Sequence, residues 1–198
     1  MLEQRIQQQF FDSADLHYAA AEVLAKPVND AVSALIGCIT AGGKVLACGN
    51  GGSAADAQHF AAEFVGRVER ERPGLAAVAL TTDTSILTAV GNDYGYEFVF
   101  SKQVEALGAP GDVLLAFSTS GNSANVLAAI AAARAKEMTV IALTGNGGGK
   151  IRDQLTETDV HICVPHERTA RIQEIHLLVL HCLCDAVDLQ LLGEEEDT

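Results

Sequence analysis

The chain alternates between short apolar segments and longer amphipathic ones, and this alternation constrains the fold more than any other feature. Five apolar runs have the length of a buried strand and are bounded by glycine or polar turns: Lys44–Cys48, Ala76–Thr81, Asp112–Phe117, Thr139–Leu143 and Asp159–Val164. Helical patterns lie between and after them, at residues 53–68, 84–91, 95–107, 123–137, 148–155 and 168–192. Continuously apolar strands that alternate with helices are typical of an α/β protein, in which a parallel sheet is covered on both faces.

Two helices are predicted before the first strand. The apolar residues of the first helix, residues 3–24, recur at helical spacing: Ile6, Phe10, Leu16 and Ala20. Pro27 suits the first turn of a second helix, which runs to about Ala41 and ends at two glycines. Since both helices precede the sheet, they need not pack on it. The amphipathic first helix and the apolar last helix favour packing between subunits; the alternative is that both cover the sheet of a monomer.

The charge balance bears on the class of ligand. The chain has 26 acidic and 13 basic side chains, a formal net charge of −13. Because a negative field repels a phosphate backbone, direct nucleic-acid binding over a broad surface is not expected, whereas a small phosphorylated ligand needs only a local pocket. Residues 193–198 read as a solvated acidic tail to which no function is assigned.

The sequence also predicts a cytoplasmic protein. No apolar run approaches the roughly 20 residues that span a bilayer, and the polar N-terminus has no signal-peptide core. The cysteines are odd in number and lie in apolar segments, which predicts reduced, buried thiols: Cys38, Cys48, Cys163, Cys182 and Cys184. Cys182 and Cys184 lack zinc-finger spacing, so core packing is the favoured role for both.

Three glycine-rich junctions follow predicted strands, and in an open parallel sheet ligands bind beyond the carboxyl ends of the strands. The first, Gly49–Ser53, lets the backbone approach a ligand, and Ser53 can cap the next helix. The second, Ser118–Ser123, offers four hydroxyls and a helix N-terminus, so neutral donors can hold a phosphate. An ordinary strand-to-helix turn is the alternative for each junction, and it is favoured for the third, Thr144–Gly149.

Two of the predicted helices carry side chains suited to acid–base chemistry. His59, Glu63 and Arg67 are spaced four apart and share one helix face, beginning one turn beyond the first glycine-rich junction. A solvent-facing polar stripe is the alternative for them. His181 lies in the apolar last helix, where a core histidine is the more common role for a single residue.

Several ordered motifs resemble the sugar isomerase (SIS) domain, and more narrowly the bacterial phosphoheptose isomerases. The motifs cover nearly the whole chain: GNGGS, DAQHFAAEF, VGNDYGYE, STSGNSANV, ALTGNGGG and RIQEIH. The resemblance implies a five-stranded parallel flavodoxin-like sheet and a homotetramer, with N-terminal helices in the interface and active sites between subunits. It implies conversion of sedoheptulose 7-phosphate to D-glycero-D-manno-heptose 7-phosphate for lipopolysaccharide, with bound zinc in at least some members. Residues 1–198 are then one SIS domain, with helices at 1–42, an α/β core at 43–192 and the tail.

The resemblance assigns roles to individual residues. The substrate-binding positions are Asn50, Gly51, Gly52, Ser53, Arg67, Asn92, Asp93, Ser118, Thr119, Ser120, Ser123 and Gln173. Glu63 and His181 match the two acid–base residues. The zinc ligands match His59, Glu63, Gln173 and His181.

The chemistry is consistent with this set. Ketose–aldose isomerisation through an enediol needs one group to take a proton from carbon and another to handle the oxygen. Glu63 is assigned as the base and His181 as the proton donor. Gln173 and His181 are eight residues apart, about 12 Å along a straight helix. Either one ion lies midway between them, or the two helix ends come from different subunits.

The chain also resembles the SIS proteins that bind the replication initiator DnaA as tetrameric scaffolds. The segments that carry this resemblance are ERPGLAAVALTTDTSILTA and ARIQEIHLLVLHCLCDAVD. Glu63 and His181 are retained here, and a scaffold does not need them, so the enzyme is favoured. Thr169 and Ala170 stand where some isomerases have an acidic residue. A sugar-phosphate sensor without turnover is a third alternative.

Overall fold

The computed structural model describes residues 1–193 and contains a five-stranded parallel sheet in the order β2-β1-β3-β4-β5. The strands are β1 Val45–Cys48, β2 Ala77–Ala79, β3 Val113–Ser118, β4 Thr139–Thr144 and β5 Val160–Cys163. The helices are α1 Leu2–Thr40, α2 Gly52–Val65, α3 Thr84–Asp93, α4 Ser101–Leu107, α5 Ala124–Ala135, α6 Gly149–Gln154 and α7 Thr169–Leu192. The predicted α/β class and the five strands are confirmed, while the acidic tail after Gly193 lies outside the described residues.

The strands are apolar throughout because both faces of the sheet are covered. Successive side chains of β1 point to opposite faces, so Val45 and Ala47 pack with α1, α2 and α7, whereas Leu46 and Cys48 pack with α4 and α5. All six residues of β3 are buried. This two-sided burial is the physical reason for the continuous apolar runs in the sequence.

The strand order places a crevice between β1 and β3. Leu46 of β1 pairs with Val78 on one side and with Leu114 on the other. The chain therefore leaves β1 towards one face of the sheet, to α2, and leaves β3 towards the other face, to α5. In open α/β sheets of this order, ligands bind where the loops diverge. The first junction, Gly49–Ser53, and the second junction, Ser118–Ser123, flank this crevice, because they follow β1 and β3.

The N-terminal segment differs from the prediction. A single helix, α1, runs through Pro27 where two helices were expected. Proline within a helix costs about 3 kcal/mol, and here core packing on both sides of it keeps the helix continuous: Leu24 precedes it, and Ala31 and Leu35 follow it in the same cluster as the strands. The expectation that this segment need not pack on the sheet is therefore wrong for its second half.

Two other details need correction. The helix predicted at 95–107 is a short 3-10 turn at Tyr96–Phe98 followed by α4. Burial holds for Cys38, Cys48 and Cys184, whereas Cys163 is half-buried and Cys182 is exposed. Cys182 lies on the face of α7 that lines a groove with α1, not on the face that meets the sheet.

Helices α1 and α7 also contain stretches long and apolar enough to cross a membrane by length and composition alone. The sequence prediction overlooked them because it looked for unbroken apolar runs. Buried residues of both helices belong to the same cluster as the sheet, among them Leu24 and Leu35 of α1 and Ile172 and Leu183 of α7. This is the packing of core helices in an α/β domain.

Candidate active site

The histidine of α2 and the second histidine of α7 meet although they are 122 positions apart in the chain. Nε2 of His59 lies 3.1 Å from Oε1 of Glu63, one helical turn further along α2, and 3.3 Å from Nε2 of His181. All three side chains are half-buried, and their ligand atoms lie within 4.8 Å of one another. The structure thus brings the predicted base and acid together in one chain.

The end of α2 is joined to α7 by a buried arginine. The guanidinium of Arg72 donates to the carbonyls of Glu63 and Phe64, both at 2.9 Å, and to that of Gly66 at 3.1 Å. These are carbonyls at a helix end, which lack partners within the helix. Arg72 also pairs with the carboxylate of Asp188 on α7, and both side chains are at most 3% exposed. The backbone of Glu63 is therefore held in place relative to α7.

Asp56 precedes His59 by one turn, and it was not among the predicted site residues. Burial raises the pKa of its carboxyl to about 6, and the charge of His59 partly opposes this. Its Oδ2 is buried without a hydrogen-bond partner among the described residues. The i, i+3 spacing of Asp56 and His59 on the helix could have identified this carboxyl from the sequence.

The second junction folds into a small cup at the start of α5. The hydroxyls of Ser118 and Ser123 lie 2.9 Å apart, and Oγ of Ser120 accepts from the amide of Asn122 at 3.1 Å. Ser123 occupies the N-cap position but its side chain makes no capping hydrogen bond. Its hydroxyl faces Ser118 instead. The N–H groups at the start of α5 thus have no side-chain cap, and a helix N-terminus of this kind favours a bound anion.

The third junction supports the second one. The amide of Gly145 donates to the carbonyl of Thr119 at 3.1 Å, and the amide of Ile151 donates to that of Gly121 at 2.9 Å. Gly121 has φ of +65°, and a Cβ on it would overlap the carbonyl oxygen of Gly148. Residues 145–149 thus pack directly beneath the cup, which agrees with their interpretation as a turn.

The first junction is tied to the second by two asparagines. Nδ2 of Asn50 donates to Oδ1 of Asn125, and Nδ2 of Asn125 donates to Oδ1 of Asn50, both at 2.8 Å. The hydroxyl of Tyr96 also reaches Oδ1 of Asn50, at 3.3 Å. Sequence reasoning missed Asn125, although it stands inside the STSGNSANV motif. Ser53 is buried and does not cap α2, because the helix already begins at Gly52 after Gly51.

Three of the predicted substrate residues are exposed and bond to their near neighbours in the chain. Arg67 is exposed and bonds to the carbonyl of Glu69 and to Glu71. The predicted His59–Glu63–Arg67 stripe is wrong at its last member, because α2 ends at Val65. Asn92 and Asp93, at the end of α3, are exposed, and the amide of Asn92 donates to the carboxylate of Asp93 at 2.7 Å.

Gln173 lies at the other end of the contact between α2 and α7. A Cβ on Gly52 would meet its amide, so the side chain rests against the start of α2. Gly52 precedes His59 by seven residues, about 10 Å of helical rise. The place of Gln173 among the ligands of a metal stays a prediction.

His176 is the core histidine of α7. It is fully buried, its Nε2 donates to the carbonyl of Thr144 at 3.0 Å, and its ring meets that of Phe117. Burial lowers the pKa of this imidazole to about 4. Its role is structural, in contrast to that of His181, which lies five residues further along α7.

Comparison with known proteins places this site in a family. The SIS domain model matches residues 9–145. A phosphoheptose isomerase of Methylibium petroleiphilum is 76% identical over 198 residues, covering 100% of this chain and 99% of its own. A phosphoheptose isomerase structure from Neisseria gonorrhoeae is 56% identical with a TM-score of 0.91, covering 95% of this chain and 99% of its own. One from Francisella tularensis is 44% identical with a TM-score of 0.93, covering 95% and 98%. The chain belongs to the SIS-domain phosphoheptose isomerases.

Proposed function

We propose that this isomerase interconverts sedoheptulose 7-phosphate and D-glycero-D-manno-heptose 7-phosphate, the step that begins heptose supply for lipopolysaccharide. The observation that carries the proposal is that Nε2 of His59 lies 3.1 Å from Glu63 and 3.3 Å from His181, which brings the predicted base and acid into one cluster. A carboxylate and an imidazole are the pair that enediol chemistry requires.

The substrate phosphate is assigned to the cup of Ser118–Ser123. Its hydroxyls and the first amides of α5 supply neutral donors, and a helix N-terminus favours an anion without a basic cluster. The open-chain sugar then extends across the crevice, past Asn50 and the glycines of the first junction. Its carbonyl end is directed to α2 and α7.

The reaction moves one proton between neighbouring carbons without net oxidation. Glu63 takes a proton from C1 of the ketose while His181 donates one to the oxygen on C2, which forms the enediol. Glu63 then returns its proton to C2 and His181 accepts the proton of the oxygen on C1, which leaves the aldehyde. Positioned acid–base groups contribute about 10²- to 10⁴-fold to such rates.

We also propose a zinc site in this cluster. The separations of 3.1 and 3.3 Å between ligand atoms are close to the edge of a tetrahedral zinc site, about 3.4 Å. His59, Glu63 and His181 would hold the ion. Because Gln173 of the same chain rests against Gly52, about 10 Å of helical rise from His59, a Gln173 that serves as the fourth ligand would come from another subunit. Bound zinc supplies polarisation of the sugar oxygens. If zinc binds Glu63 and His181, these side chains are no longer free to act as base and acid. Activity measured as a function of zinc content distinguishes an ion that activates the enzyme from one that inhibits it.

The proposed assembly is a cytoplasmic homotetramer with active sites between subunits. The first half of α1 exposes large apolar side chains, among them Leu2, Ile6 and Phe10. An apolar groove of about 230 Å³ also lies between α1 and α7, lined by residues such as Leu24 and Leu178. A second subunit would cover both surfaces, and it would place its own polar residues near a site that one chain leaves open.

The DnaA-binding alternative receives no support from the relatives described above, which are named as isomerases. It also leaves the cluster of His59, Glu63 and His181 without a role. Association with purified DnaA in the absence of isomerase activity would reverse this ranking.

Turnover tests the proposal directly. Purified protein with sedoheptulose 7-phosphate should yield the aldose phosphate, followed by NMR. Glu63→Gln should abolish turnover while tetramer mass and substrate binding persist, because the amide keeps the size of the side chain but cannot accept the proton. Zinc content is measured on the same samples, because Glu63 is also a proposed zinc ligand. Glu105→Gln, in an exposed ion pair with Lys102, is the matched control and should keep full activity. Full activity of Glu63→Gln would contradict the assigned base.

A further inference from the structure

The two junctions that flank the crevice are linked by a buried amide pair. Asn125 lies in the first turn of α5, is 4% exposed, and exchanges two hydrogen bonds of 2.8 Å with Asn50. Asn50 follows β1 and Asn125 follows β3, and these strands are neighbours whose helices cover opposite faces of the sheet. The pair thus spans the point at which the two loops diverge.

The hydrogen bonds of the Asn50 side chain use its oxygen fully and its amide nitrogen only in part. Its Oδ1 accepts from both Asn125 and the hydroxyl of Tyr96, and one of its two N–H groups is used by Asn125. An amide carbonyl offers two lone pairs and an amide nitrogen two hydrogens. Among the described residues, one N–H of the Asn50 side chain thus has no partner, and such a group beside the crevice suits a hydroxyl or carbonyl oxygen of an open-chain sugar.

Asn125 itself is too buried to offer a group to the sugar. It stands two residues beyond Ser123, whose hydroxyl faces Ser118 in the phosphate cup. We infer that Asn125 is a positioning residue that orients the amide of Asn50 towards the sugar and ties that orientation to the phosphate cup. This inference rests on the proposed function, since it assumes a sugar phosphate in the crevice.

A double-mutant cycle tests the inference. The variants Asn50→Ala, Asn125→Ala and the double variant are compared with the wild type for kcat and KM on sedoheptulose 7-phosphate. If Asn125 acts through Asn50, each single variant loses about tenfold or more in kcat/KM, and the double variant is no worse than Asn50→Ala. Losses that multiply would show two independent roles and overturn the inference.

Binding of unreactive probes separates positioning from a merely structural role. Sorbitol 6-phosphate, an open-chain polyol phosphate, should bind Asn125→Ala about tenfold more weakly, whereas inorganic phosphate should bind as it does to the wild type. Weaker binding of inorganic phosphate would mean that Asn125 only supports α5, and unchanged binding of sorbitol 6-phosphate would also overturn the inference. The exposed Asn29→Ala is the matched control.

A second variant guards against misfolding. Asn125→Asp keeps the size of the side chain and can accept from Nδ2 of Asn50, but it cannot donate to Oδ1. Because its carboxylate oxygen would face Oδ1 of Asn50 close to the phosphate cup, it should lose at least as much kcat/KM as Asn125→Ala while its urea unfolding shows a folded protein. A kcat/KM near that of the wild type would contradict the need for a donor at this position. If the wild type does not isomerise sedoheptulose 7-phosphate, the proposed function fails, and the two binding probes still decide the role of Asn125.

Discussion

The guanidinium of Arg72 and the carboxylate of Asp188 form a buried ion pair that joins the end of α2 to α7, the two helices that carry Glu63 and His181. Arg72 also donates to the carbonyl of Glu63 itself, at 2.9 Å. One side chain therefore completes the end of one helix and fixes its distance from the other.

Removal of one partner of this pair should destabilise the protein strongly. Arg72→Met leaves Asp188 buried and unpaired, which typically costs about 3–5 kcal/mol. Urea unfolding at one protein concentration measures it. The double variant Arg72→Met with Asp188→Leu removes both charges and should recover much of this loss. A double variant less stable than Arg72→Met alone would contradict this account.

The three-residue cluster should bind zinc with an affinity that depends on His59. Its Nε2 is the atom nearest to both other ligands, at 3.1 and 3.3 Å. His59→Ala should lower the affinity for zinc by more than about 10- to 100-fold, which is the loss typical when a residue that only supports a metal ligand is removed. Metal content and calorimetric titration with zinc measure this. His166→Ala, in the loop after β5, is the control, and equal zinc affinity of both variants would argue against the site.

Gly121 should tolerate alanine less well than Gly147 does. Both glycines have positive φ, +65° and +72°, so alanine at either costs about 1–2 kcal/mol for the left-handed conformation. A Cβ on Gly121 also overlaps the carbonyl oxygen of Gly148, whereas one on Gly147 meets no atom within 4 Å. Gly121→Ala should therefore lose additional stability and bind inorganic phosphate more weakly. Gly147→Ala should lose stability but keep its affinity for phosphate. Urea unfolding and phosphate titration distinguish the two; equal effects would contradict the close packing of the loops.

The sheet could be predicted from the sequence because burial on both faces leaves a local signature. Every strand was found within a few residues, since a strand such as β3 is apolar from Val113 onwards. The Ser118–Ser123 junction could be found for a similar reason, because hydroxyls and a glycine directly after a buried strand are a local pattern. The acid–base pair was identified through resemblance, since no local pattern links Glu63 to His181.

What the sequence missed depends on contacts between distant segments. Asn125 acquires a partner only because β1 and β3 are adjacent, and strand order is not written in any one strand. Pro27 was taken as a helix start because the core packing that keeps α1 continuous is also distant in sequence. Arg67 falls off the helix face because Gly66 ends α2 one residue earlier.

The buried imidazole of His176 should make stability depend on pH. Its pKa is lowered from 6.5 to about 4 by burial, so between these values the unfolded chain binds the proton more tightly than the folded one. The contribution of His176 to the free energy of unfolding is complete above pH 6.5 and is lost as the pH falls to about 4. Between pH 7.5 and 5 this loss is about 2 kcal/mol. Asp56 acts in the opposite sense, because its raised pKa favours the protonated folded form between about 6 and 3.8.

A variant at position 176 separates these two groups. His176→Gln keeps a donor for the carbonyl of Thr144 but does not titrate. Of these two groups, only Asp56 then contributes to the pH dependence of stability. The free energy of unfolding of the wild type should therefore fall more between pH 7.5 and 5 than that of the variant, by about 2 kcal/mol. Urea unfolding at both pH values, at one protein concentration because assembly adds to stability, measures the difference. Parallel pH profiles for the two proteins would mean that folded His176 takes up a proton as readily as unfolded His176, which would contradict the lowering of its pKa by burial against Phe117.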